Sequence, residues 1–183
     1  MKCAFRQSFM QRIKTHKSAK KEKGYKGYKD MKFIKDLKKE PDYSLFTAAA
    51  EAGITMDQMN ALVTAQQGEE DAVYMYEQLA KVVRDEADRA AFQRLAGDEA
   101  RHAGVFKKYT NQDLKPNPTK GIAVPLMYRV LGKKKVYPII AKGEYDAAEK
   151  YKHIIDDFPE VVEVMNDEVH HGDAVLGLLK TNE

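Results

Sequence analysis

Two short strings in this 183-residue chain pair a carboxylate with an imidazole three residues on: Glu99 with His102 in Asp98-Glu99-Ala100-Arg101-His102, and Glu168 with His171 in Asp167-Glu168-Val169-His170-His171. Three residues apart on a helix, two side chains share a face and reach one site, whereas His170, two residues after Glu168, points elsewhere. The flanking residues identify that face. Phe92, Leu95, Glu99, His102, Phe106 and Tyr109 recur at steps of three and four, as do Val161, Val164, Glu168, His171, Val175 and Leu178, so each pair interrupts an apolar seam that faces a core. An ionised carboxylate buried without a partner costs several kcal/mol even after relaxation. A metal ion is the partner such a pair calls for.

Two further glutamates sit on seams of their own: Glu69 among Leu62, Gln66, Val73, Tyr76, Ala80 and Val83, and Glu144 among Ile140, Ala147, Tyr151 and Ile154. Four carboxylates and two imidazoles suit two divalent metals, with carboxylates bridging and one histidine terminal on each. Hard oxygen and imidazole donors favour iron or manganese over a thiolate-loving metal. One Glu-x-x-His alone carries little weight, because an exposed Glu and His at that spacing is an ordinary solvated pair; six residues agreeing across four seams carry the reading. Glu70, His153 and His170 fall off the seams and are expected to face solvent.

Positioning these residues takes four helices. Thr55 is the expected N-cap of the first, with Gln58 as its capping-box partner, and Asp85 caps the second, which fades near Tyr109. The segment 110–123, with Asn111, Pro116, Pro118 and Gly121, reads as a long crossover, and Pro125 is expected to open a short helix ending at Gly132. The third bundle helix gathers around Pro138 and runs to about Asp156, and the fourth takes Pro159 in its first turn and runs to about Lys180. Gly68-Glu69-x-Asp71-Ala72-x-x-x-Tyr76 is repeated as Gly143-Glu144-x-Asp146-Ala147-x-x-x-Tyr151, and each copy is followed by Asp-Glu-x-x-His. The expected fold is all-α, a doubled helical hairpin closed into a four-helix bundle over residues 55–183, preceded by a linker or short helix over 40–54 around Pro41 and Gly53.

Charge divides the chain differently. Residues 1–39 hold 14 Lys/Arg against 3 Asp/Glu, net +11, while residues 40–183 hold 17 against 25, net −8, so the overall +3 describes neither part. The basic stretch, with its tandem Gly24-Tyr25-Lys26-Gly27-Tyr28-Lys29, is expected to be a solvated tail. Contact with nucleic acid or an anionic membrane is its minor reading, and Met31 offers an alternative start of translation. The lone cysteine, Cys3, excludes a disulfide framework and a Cys-x-x-Cys metal site. No apolar run is long enough to serve as a signal peptide or to span a bilayer. The expected setting is the cytoplasm.

With those residues in hand, the chain is similar to the ferritin-like di-iron proteins, and within them to the rubrerythrin group, over about residues 56–180. The resemblance implies a ferritin-like antiparallel bundle with a long crossover between two hairpins. It implies two iron ions, with manganese as the alternative, held by Glu69, Glu99, His102, Glu144, Glu168 and His171. Asp98-Glu99-x-Arg101-His102 also resembles the motif of di-iron oxygenases, which implies that Asp98 orients His171 and Asp167 orients His102 through the distal ring N–H. Tyr76 and Tyr151, seven residues after Glu69 and Glu144, are either hydrogen-bond donors to those carboxylates or core tyrosines. Rubrerythrins commonly carry an extra carboxylate three residues after the third-helix ligand; here that position is Ala147, mirrored by Ala72, which implies near-equivalent shells for the two metals.

The activity so implied is reduction of hydrogen peroxide or activation of dioxygen, an oxidative-stress chemistry. Its electrons would come from a separate donor protein, since the chain carries no cysteine-rich electron-transfer module, and a homodimer is expected. Two other classes compete. A ferritin-like ferroxidase or iron store would need a cage of many subunits. A demethoxyubiquinone-type hydroxylase would need a long apolar surface, which the crossover is expected to lack.

Overall fold

The computed structural model describes residues 44–180, and the expectations for residues 1–39 and for the start of the linker lie outside them. Six helices and no strands form the described part: α1 Ser44–Ala52, α2 Met56–Ala80, α3 Glu86–Thr110, α4 Pro118–Leu131, α5 Lys133–Tyr151 and α6 Val161–Gly177. The linker is thus largely the short helix α1, stopped by Gly53 at φ 72°, a backbone conformation that costs glycine nothing.

Local chemistry sets most of the boundaries. The Thr55 hydroxyl accepts the Gln58 N–H at 3.1 Å while the Gln58 side chain accepts the Thr55 N–H at 2.8 Å. Asp85 accepts the N–H groups of Ala87 and Asp88, and Asn111, in the left-handed region at φ 50°, stops α3. Three expected boundaries are corrected. Pro125 does not open the crossover helix: Asn117 caps it, Pro118 takes its first position, and Pro125 lies inside, at the cost of the bond to the Gly121 carbonyl. Likewise α5, with Pro138 inside it, ends at Tyr151 rather than Asp156. The apolar periodicity misled there because Ile154 and Phe158 remain buried although they sit beyond the helix end. Pro159 precedes α6, which ends at Gly177, and Leu179 and Lys180 follow with tighter i to i−3 bonds.

The core comes in layers that reveal the topology. One apolar cluster holds Tyr76 and Leu79 of α2, Phe92 and Leu95 of α3, Tyr137 and Ile140 of α5 and Val175 of α6. A second holds Leu62 of α2, Phe106 of α3, Tyr151 of α5, and Val161 and Val164 of α6. Going from the second cluster to the first is the chain direction in α2 and α6 and the reverse in α3 and α5. The helices of each hairpin are therefore antiparallel, and α4 carries the chain from the end of α3 back to the start of α5. That is the ferritin-like antiparallel bundle with its long crossover. Gly121 lets α4 lie close on α2, since a Cβ there would overlap the Tyr74 ring.

The outer face of α4 differs from expectation. Ile122, Leu126 and Val130, one turn apart, are 62%, 58% and 74% exposed. The crossover does carry an apolar surface, so that ground for disfavouring a hydroxylase fails. A helix opening at Pro125 leaves Ile122 outside any helical stripe; with the start at Pro118 it falls in line with Leu126 and Val130.

Candidate metal centre

Each bundle helix delivers its polar residues to one level between the two apolar clusters. Along α2 the order is Leu62, Glu69, Tyr76; along α3 it is Leu95, Glu99, His102, Phe106; α5 and α6 insert Glu144, and Glu168 with His171, in the same way. All six side chains are buried, Glu99 completely. One ligand atom from each of Glu99, His102, Glu168 and His171 lies within 4.8 Å of every other. The imidazoles stack with centroids 5.3 Å apart. His102 Nδ1 stands 3.1 Å from Glu168, 3.4 Å from Glu99 and 4.0 Å from Glu69, and His171 Nδ1 stands 3.0 Å from Glu99.

The set fits a cation. Both Glu99 oxygens and His171 Nδ1 are buried without a hydrogen-bond partner, although each faces polar atoms. Close approach without hydrogen-bond geometry is the arrangement of lone pairs converging on a common centre, and no buried carboxylate keeps it without a positive charge. The protonation preferences say the same. Burial alone would raise the Glu99 carboxyl, but its contacts with His102 and His171 outweigh that and hold it at about 2. Burial alone would lower His102, but Glu168, Glu99 and Asp167 push it up to about 10. His171 is raised for the same reason, against its own burial, chiefly by Glu99. Glu69 and Glu144 are pushed well above the carboxylate range by burial and by the neighbouring carboxylates.

The residues around the six are partly those expected. Asp167 accepts from His102 Nε2 at 3.1 Å, which turns Nδ1 inward, onto Glu168 at 3.1 Å. Asp98 is 3.7 Å from His171 Nε2, beyond hydrogen-bonding distance, and instead accepts from Arg101. Sequence reasoning assigned Arg101 no role, yet its guanidinium also reaches Asp167 at 3.4 Å and so links the two aspartates that face the two histidines. Its place within Asp-Glu-x-Arg-His was the available signal. Tyr76 donates to Glu144 and Tyr151 to Glu69. Each tyrosine thus serves the glutamate of the other repeat. Of the residues expected to face solvent, His153 and His170 are exposed and Glu70 is half-buried.

A profile of the rubrerythrin family matches residues 60–176, which takes in all six buried glutamates and histidines together with Tyr76, Asp98, Arg101, Tyr151 and Asp167. The chain belongs to the rubrerythrin family. No curated protein and no solved structure matches it. The rubrerythrin family typically binds iron, and the Glu/His cluster is a set that can hold metal. In this rubrerythrin-family chain the cluster is reached by a cavity of about 660 Å³ between α2, α4 and α5, which ends on Glu69, Glu144 and Glu168. No helix among the described residues is long and apolar enough to cross a membrane.

Proposed function

We propose that the chain is a non-haem di-iron oxidoreductase that reduces hydrogen peroxide or activates dioxygen with electrons from a separate donor protein. The observation that carries this reading is the wholly buried Glu99, whose two oxygens lack donors and face the Nδ1 atoms of His102 and His171. Glu99, His102, Glu168 and His171 would hold the iron, with Glu69 and Glu144, buried at the same level, as the further carboxylates available to it. Iron bound there would supply reducing equivalents to the oxidant's O–O bond. The protein's part is positional. Asp167 fixes the His102 tautomer so that Nδ1 faces inward, and Arg101 steadies the aspartate pair. Burial raises the Tyr76 and Tyr151 hydroxyls, so both stay protonated and serve as donors that occupy one oxygen of Glu144 and of Glu69. A cytoplasmic homodimer is the setting we assign it.

A second reading, an oxygenase acting on an organic substrate, is favoured by the exposed apolar face of α4 and the cavity beside it.

The test is iron titration of chelated protein with metal analysis, followed by stopped-flow oxidation. Two irons per chain, lost together in E99Q/E168Q, and oxidation of the reduced protein by peroxide and dioxygen at comparable rates are expected. Absence of stoichiometric iron would reject the centre, and a strong preference for peroxide would reject the symmetric site that Ala72 and Ala147 imply.

A further inference from the structure

The cavity above the cluster is larger and more apolar than peroxide or dioxygen requires. Its volume of about 660 Å³ lies in the range of roughly 300–1,000 Å³ usual for small-molecule pockets, whereas a water-sized molecule takes about 30 Å³. The walls are Ala61, Ala65, Met75, Val124, Ile140 and Ile154, and every acidic residue that lines it is one of the buried glutamates at its inner end. Two cations line it as well, Lys120 from α4 and Lys150 from α5. Both are exposed, and neither ammonium group has an ion-pair partner among the described residues. The cavity is therefore graded from a cationic lip through an apolar shaft to a carboxylate floor.

We propose that this cavity binds an amphiphilic organic anion, its hydrocarbon body in the shaft and its carboxylate-class head on Lys120 and Lys150. The opposite orientation would take the anionic head away from both ammonium groups and bury it at the inner end beside Glu69, Glu144 and Glu168, where an unpaired charge pays its desolvation in full. The apolar walls supply affinity in proportion to the hydrocarbon they cover, and the lip supplies orientation. Such a ligand would present the end of its chain to the cluster. The proposal rests on the di-iron reading only for what becomes of the ligand there, not for its binding.

The experiment is calorimetric titration of full-length protein, chelated and iron-loaded, with hexanoate, octanoate and decanoate and with 1-octanol. Each added methylene should tighten binding about fourfold, the factor expected for burying one such group. K120Q/K150Q should weaken octanoate at least fivefold and leave 1-octanol unchanged. Thr64→Phe, on the exposed rim of the shaft, should abolish both while iron content stays the same. Affinity independent of chain length, or binding that neither saturates nor responds to Thr64→Phe, would overturn the proposal. If that variant does not fold, the surface pair K120Q/K150Q still decides, since equal loss for acid and alcohol, or no loss for either, also overturns it. Loss of iron binding with ligand binding intact would reject the metal centre and leave this inference standing.

Discussion

Raising the pH should destabilise the metal-free protein and leave the loaded one unaffected. His102 is pushed from 6.5 up to about 10 in the folded chain, and His171 is also raised. Between those pH values the folded state holds protons that the unfolded state has released, so stability falls as pH rises. Glu69 and Glu144, held above 4.5 by burial, act in the same direction from 4.5 upward. Glu99, held at about 2, acts oppositely: its contribution is complete above 4.5 and is lost as pH falls toward 2. For His102 alone, going from pH 6.5 to about pH 9 removes about 3 kcal/mol at roughly 1.4 kcal/mol per unit, a large share of a typical total of about 5–15 kcal/mol. In a domain of this size that lowers the melting temperature by about 10 °C. Bound metal takes the place of the protons, so the loaded protein should show no such fall. The assay is thermal unfolding by circular dichroism across this pH range, with and without chelator. A chelated protein that melts at the same temperature throughout, with metal loss confirmed by elemental analysis, would refute the reasoning.

Tyr76→Phe and Tyr151→Phe should each destabilise the metal-free protein by about 0.5–1.5 kcal/mol, the usual net worth of a hydrogen bond between uncharged groups, and by similar amounts because each serves one glutamate of a symmetric pair; denaturant titration of both variants checks this, and a large effect in only one would break the equivalence. Gly172→Ala should cost about 1–3 kcal/mol, since its Cβ would come 2.5 Å from Cε1 of Tyr145, whose hydroxyl bonds Asp173 at 2.7 Å; adding Tyr145→Ala should remove most of that penalty in a double-mutant cycle.

The polar layer was readable because periodicity and chemistry coincide in it: a glutamate or histidine at a core position of a helix has few explanations, and four seams gave the same one. Thr55 and Asp85 were readable because caps act over three residues. What depended on tertiary partners was not. The seven-residue spacing from Glu69 to Tyr76 put both on one face, but which glutamate the hydroxyl meets is decided by the angle at which α5 passes α2. Asp98 and Asp167 each open an Asp-Glu-x-x-His string, yet only Asp167 comes within hydrogen-bonding distance of a histidine, because Arg101, which stands where the second string has His170, draws Asp98 aside. The cavity was not legible because its space comes from alanines and glycines such as Ala65, Gly68, Gly143 and Ala147 set among larger apolar residues, and an alanine on a seam reads as core whether or not anything packs against it.

The crossed tyrosines bear on how such a chain is built. Tyr76 of the first hairpin caps a carboxylate of the second and Tyr151 returns the favour, while His102 contacts Glu168 and His171 contacts Glu99. A single hairpin expressed alone would hold half of every interaction and would satisfy them only by pairing with a second copy about a two-fold axis. The fused chain is, in effect, such a dimer made covalent. Joining the halves frees them to differ in outer surface, as α4 and its neighbours do, but any substitution at this level must be matched on the far side of the axis.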